Sequence, residues 1–116
     1  MKFSDNIKDL AKENESFRKI LATGDYSQLV IMSLAPGEDI GMETHDDVDQ
    51  ILYCVDGDGE AVLDQEVFPF ENGTLTFVPA GTEHNFRNIG DEDLKIFTIY
   101  SPPEHPDGTV QMTKLA

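Results

Sequence analysis

The stretch PGEDIGMETHDDVDQILYCVDG, residues 36–57, and its sequel NGTLTFVPAGTEHNFRN, residues 72–88, carry most of the information in this chain. Glu43 and His45 stand two apart, so in an extended strand both side chains point to one face. Gln50 opens the next apolar run, and His84 lies just beyond the turn residues Pro79, Ala80, Gly81 and Thr82. Two imidazoles, a carboxylate and an amide oxygen form a mixed nitrogen and oxygen donor set. Such a set suits a divalent zinc, manganese, iron, nickel or copper ion.

Outward from these ligands the chain reads as a succession of short strands. Residues 5–14 place Ile7, Leu10 and Ala11 at helical spacing behind Ser4 or Asp5 as N-cap, which predicts a short amphipathic helix. Residues 17–22 and 26–34 flank Thr23, Gly24 and Asp25 and read as a hairpin. The run QILYCV, 50–55, is nearly continuous in apolar character and is expected to be buried on both faces. A tight turn at 56–59 leads to strands at 60–63 and 66–70, the second edged by Pro69, and strands at 74–78, 83–88 and 94–100 follow. Short strands at this spacing argue for an all-β sandwich or barrel and against a βαβ fold. Pro102, Pro103 and Pro106 keep 101–108 irregular, and 109–113 are expected to add one strand to this barrel or to a partner's edge.

The two stretches resemble the two motifs of the cupin family. The first family motif is G-x5-H-x-H-x3,4-E-x6-G, and Gly37, Glu43, His45, Gln50 and Gly57 fall at its spacings. The second is G-x5-P-x-G-x2-H-x3-N, and Gly73, Pro79, Gly81, His84 and Asn88 match each fixed position. Glu43 replaces the family's first His and Gln50 replaces its Glu, so both positions keep an oxygen donor. The resemblance implies a single cupin domain over 1–116 with its metal-site core at 37–88. It also implies an RmlC-like jelly-roll barrel, a double-stranded β-helix, preceded by a short helix. Glu43, His45, Gln50 and His84 would then line the inside of one end of the barrel and hold a divalent metal. That set looks like the one in cupin-class phosphomannose isomerases, which join one Gln and one Glu to two His, here with the Gln and Glu exchanged.

Composition narrows the field further. The chain has 116 residues, room for one domain with a real core. Eight Lys and Arg against 23 Asp and Glu give a formal charge of −15 with His neutral. That balance repels nucleic acid and anionic membrane surfaces. A lone cysteine, Cys54, and the lack of any long apolar run predict a soluble cytoplasmic protein without an internal disulfide. No phosphate loop, Cys-x-x-Cys or Gly-x-Ser-x-Gly elbow occurs, which argues against nucleotide hydrolysis and Ser or Cys acyl transfer.

Other residues near the ligands have their own readings. Phase along the His84 strand puts Phe86 and Asn88 on its face as pocket candidates, and His105 in the tail is a third, as ligand or acid/base group. Tyr53 faces away from Gln50 and reads as packing or interface, while Cys54 shares Gln50's phase as a small core residue. Asp46, Asp47 and Asp49 lack the Gly and terminal Glu of a calcium loop and read as a solvated bend. No catalytic residue stands out beyond the ligand set.

Glu43 would leave a divalent ion with net charge +1, a site that favours an anionic or readily deprotonated substrate oxygen. One reading is therefore a metal-dependent enzyme on a small molecule. It takes either the form of a sugar isomerase or epimerase, or that of a dioxygenase in which Glu43, His45 and His84 supply the facial triad. The other is a non-catalytic module that holds a metal or small ligand. Arg18, Lys19 and Lys95 form no obvious phosphate clamp. The apolar runs at 29–34 and 51–55 look too rich for a small barrel to hide alone, so a homodimer is expected.

Overall fold

In the computed structural model, which describes residues 2–114, Asn6 caps helix α1 (Ile7–Glu13). Its side chain accepts a hydrogen bond from the Asp9 amide at 3.0 Å. The expected caps, Ser4 and Asp5, lie too early: the Asp5 carboxylate accepts from the Asn6 amide and stays outside the helix. Ile7, Leu10 and Ala11 face Ile31, Val55, Tyr53 and Phe97, so this short helix shields the outer side of the sheet.

Nine strands follow among the described residues: β1 (Arg18–Thr23), β2 (Gln28–Leu34), β3 (Asp49–Asp56), β4 (Asp58–Leu63), β5 (Glu66–Glu71), β6 (Leu75–Val78), β7 (His84–Asn88), β8 (Leu94–Ser101) and β9 (Val110–Gln111). They pair antiparallel in two sheets, ordered β6-β3-β8-β2-β1-β9 and β5-β4-β7. This is the all-β jelly roll with one short helix that the sequence predicts. Inside it Phe70, Phe86, Leu52, Met32 and Ile96 form the core. The tail strand β9 pairs with β1 of its own barrel, with Arg18 opposite Gln111. No described helix is long and apolar enough to cross a membrane. The expected domain, 1–116, also includes Met1, Leu115 and Ala116, which lie outside the described residues.

Two details differ from the expectation. β3 is not buried on both faces: Gln50, Leu52 and Cys54 are buried, whereas Ile51 and Tyr53 are only partly covered. Its outer face meets a helix of two turns, not a second sheet, so apolar residues there are half-shielded. The turn before β4 is also tighter than 56–59, because Gly57 alone (φ 113°) reverses the chain and Gly59 already belongs to the ladder. A Cβ at Gly59 would stand 2.7 Å from the Arg87 carbonyl oxygen, so only glycine lets β4 and β7 approach this closely.

Register decides what the barrel mouth contains. Across the larger sheet Gln28 lies opposite Tyr100, Tyr100 opposite Gln50, and Gln50 opposite Val78. The next inward row is Val30, Thr98, Leu52 and Thr76. The mouth end of the interior therefore carries the buried polar groups Gln28, Gln50, Thr76 and Thr98 beside the apolar core.

Candidate metal site

The ligand stretches meet because the segment before β3 runs beside β7. The Glu43 amide donates to the His84 carbonyl at 2.9 Å, and the His84 amide donates back to Glu43 at 2.8 Å. Asn85 fixes the same segment: its Oδ1 accepts from the Gly41 amide at 2.9 Å and its Nδ2 donates to Asp39 at 3.0 Å. The turn ahead of β7 is held from both sides. The Gly81 amide, at φ 86°, donates to the His45 carbonyl at 2.8 Å, and the Ala80 amide donates to Asp49 at 2.9 Å.

As a result Glu43, His45 and His84 each bring one ligand atom to within 4.8 Å of the others. His84 Nδ1 lies 2.9 Å from the Thr82 carbonyl oxygen, which can only accept. Nδ1 therefore carries the ring proton, and Nε2 presents a lone pair. That Nε2 is buried with no hydrogen-bond partner. His45 Nε2 stands 3.7 Å from Glu43 Oε2, while its Nδ1 is 3.5 Å from Glu104 Oε1. A carboxylate behind a ligating imidazole fixes its tautomer and strengthens it as a donor.

Gln50, the fourth expected ligand, is held by a neighbouring strand. Its Nε2 donates to Thr98 Oγ1 at 3.0 Å, and its Oε1 is buried without a partner. Two orphaned buried acceptors beside a carboxylate and a second imidazole fit a divalent cation, since each is costly to bury unsatisfied and each would be satisfied by the ion.

The pocket candidates fare unequally. Phe86 is fully buried and sits edge-on to Phe70 at 4.9 Å, with His84 at 6.4 Å, so it forms the core floor under the site. Asn88 has the right phase, but its amide is spent on the chain itself. Nδ2 donates to the Leu34 and Glu92 carbonyls and Oδ1 accepts from the Gly90 amide, which leaves nothing for a ligand. His105 does reach the barrel mouth. Its ring packs edge-on to Tyr100 at 5.1 Å, and its Nε2 is buried and unpartnered.

Sequence reasoning missed the residue that brings the tail here. Buried Gln28 accepts from the Glu104 and His105 amides at 3.2 and 3.0 Å and donates to the His105 carbonyl at 2.7 Å. Nothing in the local sequence around a lone glutamine at a strand start signals that role. Glu104, missed for the same reason, then faces His45. We expect Glu104→Ala to lower metal affinity about 10- to 100-fold with the fold intact. Competition with a chelating dye measures this, and an unchanged affinity would remove Glu104 from the site.

Burial, with the Arg18 and His45 charges adding to it, pushes the His105 imidazole down from 6.5 to about 4. The unfolded chain takes up that proton near 6.5 and the folded one does not, so metal-free protein loses stability as pH falls from about 6.5 to about 4. In His105→Gln this component of the pH dependence is expected to vanish from thermal melts. Cys54 is inert: burial, then Asp56, pushes its thiol up to about 12.

Comparison with known proteins agrees with this geometry. The family model described as "Cupin domain" matches residues 30–100. The uncharacterised protein YrkC of Bacillus subtilis is 43% identical over 115 residues, covering 94% of this chain and 62% of that protein. The chain thus spans less than two thirds of that relative. Of solved structures, one from Bacillus halodurans superposes with a TM-score of 0.97 at 40% identity, covering 99% of this chain and 92% of the other. KdgF from a Halomonas species gives 0.71 at 26% identity over 75% and 78%. A 5-nitrosalicylic acid 1,2-dioxygenase of a Bradyrhizobium species is 29% identical over 65 residues, 56% of this chain and 31% of that enzyme. With both motifs in place on a jelly roll, this chain belongs to the cupin domain family.

Proposed function

We propose that the protein is a metal-dependent enzyme acting on a small molecule at the barrel mouth, with oxygen chemistry as its reaction type. The observation that carries this reading is the convergence of Glu43, His45 and His84 ligand atoms within 4.8 Å, with His84 Nε2 buried and unpaired. Two imidazoles and one carboxylate are the donors that non-haem iron uses when positions must stay open for substrate and oxygen. Similarity to the dioxygenase of Bradyrhizobium supports the same direction. A phosphosugar isomerase is less well supported, because three further cations are committed elsewhere and Arg18 alone makes no phosphate clamp. Arg87 pairs with Glu60, Lys114 with Asp39, and Lys95 binds the Asn14 carbonyl and Ser33.

A bound divalent ion would supply Lewis acidity and, if iron, access to oxygen chemistry. The chain's own residues do the rest. Glu43 sets the charge of the site, Thr82 and Glu104 orient the two imidazoles, and Thr98 turns the Gln50 oxygen free. Tyr100 and His105 wall the mouth and limit water. The test is oxygen uptake by iron(II)-loaded protein offered salicylate and short hydroxy acids, alongside metal analysis of the same sample. Bound iron with no uptake would favour a non-catalytic binding module, and failure to bind any divalent metal would defeat both readings.

A cytoplasmic homodimer remains part of the proposal. The runs that suggested it, in β2 and β3, are mostly buried in the barrel's own core, and Ile31, Tyr53 and Val55 pack against helix α1. Support comes instead from β6, the sheet edge, where Leu75 and Phe77 are 58% and 52% exposed. Gel filtration of wild type and Phe77→Asp tests this: a wild-type monomer would contradict it.

A further inference from the structure

Apart from the expected ligands, one cationic side chain turns toward the mouth of the barrel. Arg18 opens β1 opposite the buried Met32, and it is half-buried. Its Nη1 donates to Gln111 Oε1 at 2.8 Å, and its Cζ stands 5.2 Å from the centroid of the Phe17 ring. Its Nε is buried and has no hydrogen-bond partner. In a chain with 23 acidic residues, no described carboxylate forms an ion pair with it. A guanidinium keeps its charge at any working pH, and a desolvated charge left unpaired is costly. With Nη1 used, Nε is the guanidinium donor left without a partner, and it can donate to an oxygen of a carboxylate.

The surroundings of Arg18 lead directly to the metal ligands. Its charge acts on both Tyr100 and His105. The Tyr100 ring lies 5.1 Å from that of His105 and 6.2 Å from that of His45. His105 Nε2 is a second buried polar atom without a partner. We infer that Arg18, with Tyr100 and His105, forms an anion subsite beside the metal ligands, made for the carboxylate of a small acid whose second oxygen reaches the metal. Only the placement of that second oxygen rests on the metal reading. A phosphate dianion fits less well, since Arg18 offers a single guanidinium and Glu104 stands at the same mouth.

Malonate is the probe, titrated by calorimetry into zinc-loaded and metal-free protein. The expected result is that Arg18→Gln weakens malonate at least tenfold in both forms while zinc stoichiometry stays at the wild-type value. Arg18→Lys, which keeps the charge and loses the guanidinium, recovers part of the affinity and serves as the readable variant should glutamine unfold the chain. Gln111→Ala removes only the tail contact of Arg18 and keeps malonate binding. An affinity in Arg18→Gln within twofold of wild type, an equal loss in Gln111→Ala, or no malonate binding by wild type in either form would overturn the subsite. Wild type that takes no zinc, yet loses malonate on Arg18→Gln, would defeat the metal reading and leave the subsite standing.

Discussion

Alanine at position 84 is expected to cost the protein its metal while leaving the barrel folded. A four-ligand zinc site releases about 10–16 kcal/mol, so a quarter share is about 2.5–4 kcal/mol, or about two to three orders of magnitude in affinity. His84 should lose at least that share, because its Nε2 is held toward the site by the Nδ1 contact to Thr82 and has no other partner. The cost to folding is smaller, about 1–2 kcal/mol, since the substitution removes one hydrogen bond and also one buried unsatisfied atom. Plasma mass spectrometry of wild type and His84→Ala, with circular dichroism on both, gives the answer. Metal retained at wild-type stoichiometry would sink the ligand set.

The second large effect is on stability. Phe86 is fully buried against Phe70, and its removal leaves a cavity directly below His84. Phe86→Ala is expected to cost about 3–5 kcal/mol, a large part of the about 5–15 kcal/mol that holds a domain together. At about 4–8 °C per kcal/mol for a chain of this size, the melting temperature should fall by well over ten degrees. Phe97 provides the contrast. It lies half-covered on the outer face, stacked on Tyr53 at 5.0 Å under α1. Phe97→Ala should therefore cost only about 1–2 kcal/mol. Equal losses at the two positions would mean that the inner and outer faces are misassigned.

The difference between these two phenylalanines shows where sequence reading reached and where it stopped. Alternation along a strand tells which residues share a face, and it placed Glu43 with His45 and Phe86 with His84 correctly. It does not tell what covers the other face, so QILYCV read as doubly buried although a short helix lies over part of it. The convergence of Glu43, His45 and His84 was legible because turn residues such as Gly81 and Pro79 fix local geometry at short range. Gln28, Glu104 and Arg18 were not, because their roles come from contacts with a tail that lies far along the chain. Asn88 shows a related limit: phase aims a side chain, but the nearest carbonyls decide where its amide goes.

The docking of the tail on Gln28 has a consequence for how such a protein can diversify. The candidate ligands Glu43, His45 and His84 sit at the barrel mouth, whereas Glu104 and His105 arrive on an irregular segment held by backbone contacts to one glutamine. Because Gln28 grips main-chain atoms, the side chains at 104 and 105 are free to be exchanged without disturbing the grip. The tail thus behaves as a replaceable cassette. Swapping residues 103–106 between relatives would re-tune the polarity and basicity around the ion while the barrel, and the cost of folding it, stay as they are.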